Sequence, residues 1–377
     1  MSGWVIKILD EVVEYFIDYR GKTPDKKSSG IPLVTAKIVK DGRLQIPTEF
    51  ISVEDYPLWM TRGYPEINDV VLTTEAPLGE VALLKDKNVA LAQRIITMRG
   101  FEGVLNNKYL KYWFQSDYGQ YELDSRASGT TVFGIKSTVL KKIPIALPSF
   151  REQKAIASVL SSLDDKIDLL HRQNKTLESM AETMFRQWFV EGASAETGDG
   201  KLSDVLELKY GKALKQENRS GNGYPVVASS GVVGFHNEYL VEAPGIVIGR
   251  KGTLGKVHYL NENFFPIDTS YYVVSKITNS RLYYEYFLLK SLDFENMNSD
   301  SAVPGLNRDA AINVSVLIYS ESKITKFNKL CDSFFEKINQ NKKQIQTLEK
   351  LHDTLLPKLM SGEVRVQFNT EETISVA

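Results

Sequence analysis

Glycine and basic residues cluster at 249–257, where the sequence GRKGTLGKV resembles a phosphate-binding loop. In such a loop, Gly-x-x-x-x-Gly-Lys is followed by a Ser or Thr that holds magnesium. Here the glycine spacing is one residue too long, and Val257 takes the place of the hydroxyl. The segment is therefore predicted to be a glycine-rich turn between strands, in which Arg250, Lys251 and Lys256 could bind DNA phosphates.

A second candidate for chemistry is a loose match to the carboxylates and lysine of a metal-dependent nuclease. It consists of Asp309, Glu321 and Lys323. None of the four histidines is paired in a zinc pattern with a second His or Cys three or four residues away, and the chain has neither a Gly-x-Ser-x-Gly elbow nor a methyltransferase motif. We therefore predict no catalytic residue and no metal ligand. A freestanding metal-dependent nuclease stays as the alternative.

Composition and charge are those of an ordinary globular protein with room for two or three domains. The 377 residues are 42% hydrophobic and 25% charged, with a net charge of −1. This balance disfavours a general polyanion binder, but basic side chains gathered on one face could still bind DNA. A single cysteine, Cys331, no signal peptide and no apolar run of membrane length predict a cytoplasmic protein that binds no membrane.

Two long helices are predicted from apolar residues that recur at steps of three or four. The first covers 151–190 and begins at a capping box, Ser149 to Glu152. The second covers about 322–356 of a spacer segment 322–360, and Pro357 is expected to end or kink it. The first seam consists of Ile156, Leu160, Leu163, Ile167, Leu170, Asn174, Leu177 and Met184. The second consists of Phe327, Cys331, Phe334, Ile338, Asn341, Ile345, Leu348 and Leu355.

The two seams are expected to bury each other as an antiparallel coiled coil, because they lie in one chain and share one period. Asn174 and Asn341 each place an amide in a seam, where buried polar groups select register and orientation. An alternative places both amides in solvent, where the coil loosens. A coil between two chains is the competing topology.

The segments before the helices are predicted to be two copies of one globular α/β domain, over 1–150 and 201–321. Matching pieces follow in the same order: 8–14 and 202–207, 21–22 and 211–212, 31–34 and 224–227, 78–81 and 254–257, 109–113 and 283–287, 131–135 and 302–306. A linker at 191–200 joins the halves, and a tail at 361–377 has a strand-like piece at 364–368. The predicted fold class is α+β: two α/β domains separated by an antiparallel two-helix coiled coil, with an internal pseudo-twofold duplication.

Three stretches near the junctions carry a family resemblance. They are IPIALPSFREQ at 143–153, LSSLDDKI at 160–167 and LLPKLMSGEVR at 355–365. With two variable domains and two matching helices, the chain resembles the specificity subunit of Type I restriction–modification enzymes over essentially its whole length. The second junction, IYSESK at 318–323, lacks the proline and Glu-Gln of the first, so contacts made there are expected to be weaker.

The resemblance implies that each domain is a target recognition domain that reads one half of an asymmetric, bipartite sequence in double-stranded DNA. The helices would be a spacer and a dock for two modification (methyltransferase) subunits. S-adenosylmethionine would act in those subunits, and ATP and magnesium in restriction/translocase subunits, leaving this chain non-catalytic and without a cofactor. A rigid helix pair could hold two readers about one DNA turn apart, roughly 34–36 Å. A protein-assembly scaffold is a further alternative.

The DNA-binding candidates are polar and basic residues at predicted loops and strand ends of the duplicated framework. Arg, Lys, Asn and Gln read base edges, whereas Ser, Thr and backbone groups bind phosphates. In the first domain they are Arg20, Lys22, Lys37, Thr73, Thr74, Arg94, Arg126, Thr130, Thr131 and Lys136. In the second domain they are Tyr210, Lys212, Ser229, Ser230, Arg250, Lys251, Lys256, Asn307 and Arg308.

Overall fold

The structure is a computed structural model that describes residues 3–129, 132–192, 198–278, 280–294, 297 and 305–366. The chain divides into two compact units. The first unit is Met1–Asp168 with Ile345–Ala377, and the second unit is Leu169–Gln344. Each unit therefore contains one predicted domain and one part of each long helix. The predicted α+β class is confirmed.

The first unit is built on a four-stranded antiparallel sheet with strand order β2-β10-β7-β8. Strand β3 pairs antiparallel with β6 and parallel with β9, and β1 pairs with β11. The strands are β1 Val5–Ile8, β2 Val13–Asp18, β3 Ile31–Val34, β4 Val39–Lys40, β5 Arg43–Leu44, β6 Phe50–Ile51, β7 Val70–Thr74, β8 Leu78–Leu83, β9 Ala90–Leu91, β10 Ile95–Gly100 and β11 Pro144–Leu147. The helices are α1 Leu9–Val12, α2 Asp55–Trp59, α3 Asn107–Gln115, α4 Asp117–Arg126, α5 Ser137–Leu140 and α6 Phe150–Arg186, which continues into the second unit.

The second unit repeats this topology. Its four-stranded sheet has the order β13-β19-β16-β17, β14 pairs antiparallel with β15 and parallel with β18, and β12 pairs with β20. The strands are β12 Gly198–Lys201, β13 Leu206–Tyr210, β14 Tyr224–Ala228, β15 Gly231–His236, β16 Gly245–Gly249, β17 Val257–Leu260, β18 Phe265–Pro266, β19 Ser270–Ser275 and β20 Ser315–Ile318. The helices are α7 Leu202–Val205, α8 Tyr283–Ser291, α9 Arg308–Ile312 and α10 Glu321–Ser361, which continues into the first unit. The predicted internal duplication is confirmed.

Helix α6 begins at Phe150, where the sequence places its cap. The Ser149 hydroxyl accepts a hydrogen bond from the Glu152 backbone N–H at 3.2 Å, which satisfies one of the free donors of the first turn. At its far end, a π-helical turn over Gln187–Glu191 follows α6. Phe189 in this turn is buried and lies 4.9 Å from the Tyr319 ring. The helix therefore ends by burying an aromatic side chain in the second unit.

The expectation that Pro357 ends or kinks the second helix before its last turn is wrong as to the end, because α10 continues to Ser361. A proline inside a helix costs about 3 kcal/mol. Here the turn beyond it is held by Leu359 and Met360, each only 2% exposed in the core of the first unit. Gly362, with φ of +73°, follows the last residue in the left-handed conformation typical of a helix C-terminus.

The predicted strand at 364–368 is also wrong where it can be assessed. Residues 364–366 are not in a strand, and residues 367–368 lie outside the described part of the chain. The N–H of Val364 instead donates to the carbonyl of Lys358 at 3.1 Å. The β-branched residues that suggested a strand therefore follow a helix terminus and fold back on it.

Helices α6 and α10 pair antiparallel within each unit. In the first unit, Ile156 and Leu160 share a core with Leu359 and Met360. In the second unit, the rings of Phe185 and Phe327 lie 6.0 Å apart. The buried seam residues are Ile156, Leu160, Ile167, Leu170, Phe327, Cys331, Ile338, Asn341 and Ile345, and the half-buried ones are Leu163, Asn174, Leu177, Met184, Phe334, Leu348 and Leu355.

The seam amides meet in the second unit. Asn341 is fully buried, and its side-chain N–H₂ donates to Asn174 Oδ1 and to Gln173 Oε1, each at 2.8 Å. The alternative in which both asparagines face solvent is therefore wrong. A buried amide that finds partners in only one register disfavours sliding of the two helices.

Each unit also attaches its globular part to α6 through a tyrosine on the equivalent helix. In the first unit, the Tyr112 hydroxyl on α3 donates to Asp164 at 2.7 Å. In the second unit, the Tyr286 hydroxyl on α8 donates to Glu178 at 2.6 Å. These contacts fix the orientation of each globular part on the helix that it packs against.

Candidate nucleic-acid interface

The two copies present equivalent backbone sites at the end of β7 and directly after β16. In the first unit, the Thr74 N–H donates to the Arg94 carbonyl at 2.9 Å, and the Thr74 carbonyl accepts from Ile135 at 3.0 Å. In the second unit, the Arg250 N–H donates to Thr269 at 2.9 Å, and the Arg250 carbonyl accepts from Leu306 at 2.9 Å. We call these the first and second strand-end sites. Matching hydrogen bonds make Thr74 and Arg250 equivalent positions.

The next residue in each copy gives the two sites different charges. Glu75 forms an isolated bridge with Gly134, and Lys251 forms the same bridge with Gly305. The framework therefore places a carboxylate in the first strand-end site and an ammonium group in the second. A shared backbone with different side chains is suited to bind two different ligand surfaces.

The first strand-end site is a carboxylate held between two guanidinium groups. Glu75 lies 3.5 Å from Arg20 Nη2 and 3.1 Å from Arg94 Nε, with its two oxygens divided between them. Arg20 also donates through Nη1 to the carbonyl of Ile135 at 3.2 Å. The two arginines come from distant parts of the chain, and the shared carboxylate positions both.

The second strand-end site is an arginine among aromatic rings. The Arg250 guanidinium carbon lies 4.9 Å from the centroid of Tyr210 and 5.7 Å from that of Tyr271, and Arg308 lies 5.8 Å from the Tyr210 ring. Arg250 Nη1 donates to the Asp268 carbonyl at 3.1 Å. Within the residues that the structure describes, no carboxylate forms an ion pair with Arg250.

Most of the other candidates from the sequence are accessible. Exposed candidates are Arg20, Lys22, Lys37, Arg94, Lys136, Tyr210, Lys212, Ser230, Lys251, Lys256 and Asn307, and half-buried ones are Arg126, Arg250 and Arg308. Some have structural partners: Lys37 pairs with Glu49 at 3.7 Å, Arg126 pairs with Glu122, and Asn307 caps α9 by accepting from the Ala310 N–H at 3.0 Å. Thr130 and Thr131 lie outside the described residues.

Three hydroxyl candidates are buried against the backbone and cannot reach a phosphate in this conformation. Thr73 Oγ1 accepts from the Glu80 N–H at 2.9 Å, and Ser229 Oγ donates to the Lys251 carbonyl at 2.5 Å. Thr74 is 4% exposed. These side chains hold the backbone at the two strand ends. The sequence around them is typical of loops, so it did not predict this structural role.

The sequence did not indicate Glu75 or Tyr271 as members of the sites. Glu75 follows Thr73 and Thr74 directly, which is a weak signal for a strand end, but its pairing with Arg20 joins residues 55 positions apart. Tyr271 is buried in β19, and its hydroxyl donates to Leu306. Long-range register, which places both residues, cannot be read from local spacing.

The residues of the nuclease alternative do not gather into a metal site in the described structure. Asp309 pairs with Arg308 at 3.3 Å, while the Lys323 ammonium lies 4.6 Å from the Tyr319 ring centroid. Glu321 is the first residue of α10. No cluster of three His, Cys, Asp or Glu side chains that could hold a metal was found among the described residues.

Burial raises the pKa of the Cys331 thiol to about 12.

Comparison with known proteins decides the family. The model of the Type I restriction modification DNA specificity domain matches residues 1–179 and 196–349, one match for each copy. The chain belongs to this family. This match confirms the resemblance seen in the sequence. Members of the family supply DNA specificity and are not catalytic, so DNA recognition is favoured over the nuclease and scaffold alternatives.

Individual relatives agree with the family. The Type I restriction enzyme MjaIX specificity subunit of Methanocaldococcus jannaschii is 28% identical over 343 residues, which cover 79% of this chain and 78% of that protein. A putative type I specificity subunit of Mycoplasma genitalium is 28% identical over 298 residues, covering 73% and 76%. The crystal structure of a Type I restriction–modification S subunit from M. genitalium matches with a TM-score of 0.59 and 22% identity, over 95% of this chain and 96% of that one. This likeness supports the fold.

Among the described helices, none combines the length and the apolar composition needed to span a membrane.

Proposed function

We propose that this specificity subunit reads an asymmetric, bipartite sequence in double-stranded DNA, one half with each globular domain. The observation that carries the proposal is the pair of strand-end sites, in which one backbone framework holds Glu75 between two arginines in the first copy and Arg250 beside Lys251 in the second. Two readers of one shape with different side chains would select different bases. The half-sites would therefore differ.

The proposed domains are recognition domains at 1–150 and 201–321, a linker at 191–200, spacer helices at 151–190 and 322–360, and a tail at 361–377. The helices set the distance between half-sites and dock two modification subunits. Those subunits supply S-adenosylmethionine chemistry on adenine, and restriction/translocase subunits use ATP and magnesium. The complex acts on DNA in the cytoplasm. The antiparallel pairing of α6 and α10 and the buried Asn341 amide support a spacer of fixed register.

Salt-dependent DNA binding tests the proposal against a protein-assembly role. Lys and Arg side chains that bind phosphates release counterions, so the affinity of the complex with its methyltransferase subunits should fall steeply as salt is raised. Arg94→Ala should weaken binding severalfold and lower the logarithmic salt slope by about 1, which is the effect of losing one phosphate contact. Binding would be measured by fluorescence anisotropy on target DNA at several salt concentrations.

The matched control is Arg186→Ala. It removes an exposed guanidinium that is paired with Glu191 and belongs to neither strand-end site. It should leave both affinity and salt slope unchanged. Affinity that does not respond to salt or to Arg94→Ala would favour a protein-assembly role. Efficient DNA cleavage by the purified chain with magnesium, in the absence of partners, would overturn the proposal in favour of a nuclease.

A further inference from the structure

We infer that Arg250 reads a guanine in the half-site of the second domain, an inference that rests on the proposed function. Arginine binds guanine through two parallel N–H donors that meet O6 and N7 in the major groove, and this pair is the commonest specific contact between protein and DNA. A guanidinium group suited to it must be held rigidly, carry free donors and lack a competing carboxylate.

The backbone of Arg250 is fixed on both sides. Its N–H donates to Thr269 and its carbonyl accepts from Leu306, each at 2.9 Å, directly after strand β16. A base reader on the rigid end of a strand loses little conformational entropy on binding, because its main chain is already ordered. Arg250 therefore starts from a fixed point at the edge of the sheet.

The guanidinium plane is held by contacts that use few of its donors. The ring centroids of Tyr210 and Tyr271 lie 4.9 and 5.7 Å from its carbon, and at most one N–H group is shared with the Tyr271 hydroxyl. The hydrogen bond from Nη1 to the Asp268 carbonyl uses one of the five N–H donors. The remaining donors exceed the two that a bidentate pair with guanine requires.

In the first strand-end site, both arginines are paired with a carboxylate. Arg20 and Arg94 both bind Glu75, so any base that engages either of them must compete with a carboxylate. Arg250 has no such carboxylate among the described residues. Of the two strand-end sites, only the second therefore offers an arginine without a competing carboxylate, and guanine readout is assigned to that site.

Arg308 has a different part in the second strand-end site. Its side chain is 42% exposed and is paired with Asp309 at 3.3 Å, at the first turn of α9. Because a carboxylate already holds its guanidinium, Arg308 lacks the free fork that guanine requires, and its exposed side chain can attract DNA without selecting a base. It therefore provides the matched control for Arg250.

Substitution of single guanines by 7-deazaguanine tests the inference on the unmodified protein. This base keeps its Watson–Crick pairing but has C–H in place of the N7 acceptor. The probe is the target duplex, bound by the chain with its methyltransferase subunits, with each guanine of the second half-site replaced in turn. One replacement should weaken binding about fivefold or more, because a bidentate pair carries about 1–3 kcal/mol of discrimination.

Two variants complete the experiment. Arg250→Met keeps a long side chain but removes every N–H donor, and it should bind the normal and the 7-deazaguanine duplexes equally. Arg308→Ala should weaken binding to both duplexes while preserving their ratio. The inference is overturned if no guanine is sensitive in the wild type, or if Arg250→Met keeps the full sensitivity. Absence of any sequence preference in the wild-type complex would instead contradict the proposed function itself.

Discussion

Replacing Lys111 by Met should lower the free energy of unfolding by about 1–3 kcal/mol, because it leaves the half-buried Asp164 carboxylate without its ammonium partner. The Lys111 side chain is 6% exposed, and its ammonium lies 2.6 Å from Asp164 on α6. Burial favours protonation of Asp164, but the Lys111 ammonium and the Tyr112 hydroxyl outweigh it and lower the pKa of the carboxyl. On Lys111, burial outweighs the attraction of Asp164 and lowers the pKa of the ammonium group, so the pair costs part of what it contributes. The loss would be measured by urea unfolding, with hydrogen exchange of α3 amides to locate it.

The double variant Lys111→Met with Asp164→Asn should recover most of that stability, because it removes both charges and keeps an acceptor for Tyr112. Lys215→Met, which breaks an exposed ion pair with Glu217, is the control and should change little. A Lys111→Met protein as stable as the wild type would mean that the pair contributes nothing to attaching α3 to α6.

The same carboxyl predicts acid sensitivity in the wild type. A carboxyl whose pKa is lower in the folded state stabilises that state at pH above its ordinary pKa, about 3.9 for Asp. That contribution should decline below this pH and be lost once the pH has fallen through the lowered pKa of Asp164. In Lys111→Met, the ammonium group no longer lowers the pKa of the Asp164 carboxyl, while burial still raises it. The decline in the free energy of unfolding that the wild type shows on acidification should therefore be absent from this variant.

Deleting one heptad from both long helices should move methylation to a target with a shorter spacer while both half-sites stay unchanged. Removal of 171–177 and 338–344 takes out Asn174 and Asn341 together and preserves the seam period on each side. Seven residues shorten a helix by about 10 Å, which corresponds to about three base pairs at 3.4 Å each. Methylation at the original target should be lost, and methylation mapping would identify the new spacer.

The shortened target should be methylated more weakly than the wild-type target. Three base pairs also rotate one half-site by about 100°, since DNA completes a turn in 10–10.5 base pairs, so the DNA must twist to meet both readers. Deleting 171–177 alone is the control, because it leaves Asn341 without Asn174 and should disrupt the helix pair. An unchanged spacer in the double deletion would show that the helices do not set the distance.

The parts of the fold that rest on local patterns could be predicted from the sequence. The capping box located the start of α6 within one residue, and the recurrence of the heptad pattern indicated the partner helix. The seam was less complete: Phe185 and Phe335 are buried beside the half-buried Met184 and Phe334. The helices face the globular parts as well as each other, so the buried stripe is wider than a heptad seam.

The strand-end sites could be predicted only in part. Arg20, Arg94 and Arg250 were candidates because they lie at turns of the duplicated framework. The carboxylate that joins the first two and the tyrosines around the third depend on strand register across the sheet, which local spacing does not give. Pro357 gave a wrong helix end for a similar reason, because burial of Leu359 and Met360 in a distant core offsets its local cost.

Methylation mapping of DNA from cells that express this chain with its methyltransferase subunits would show whether two different readers act at a fixed distance. We predict one bipartite, asymmetric motif with a modified adenine in each half, which disappears when this chain is omitted. Methylation that persists without the chain, or a motif that is undivided or palindromic, would contradict the account of two different readers held at a fixed distance.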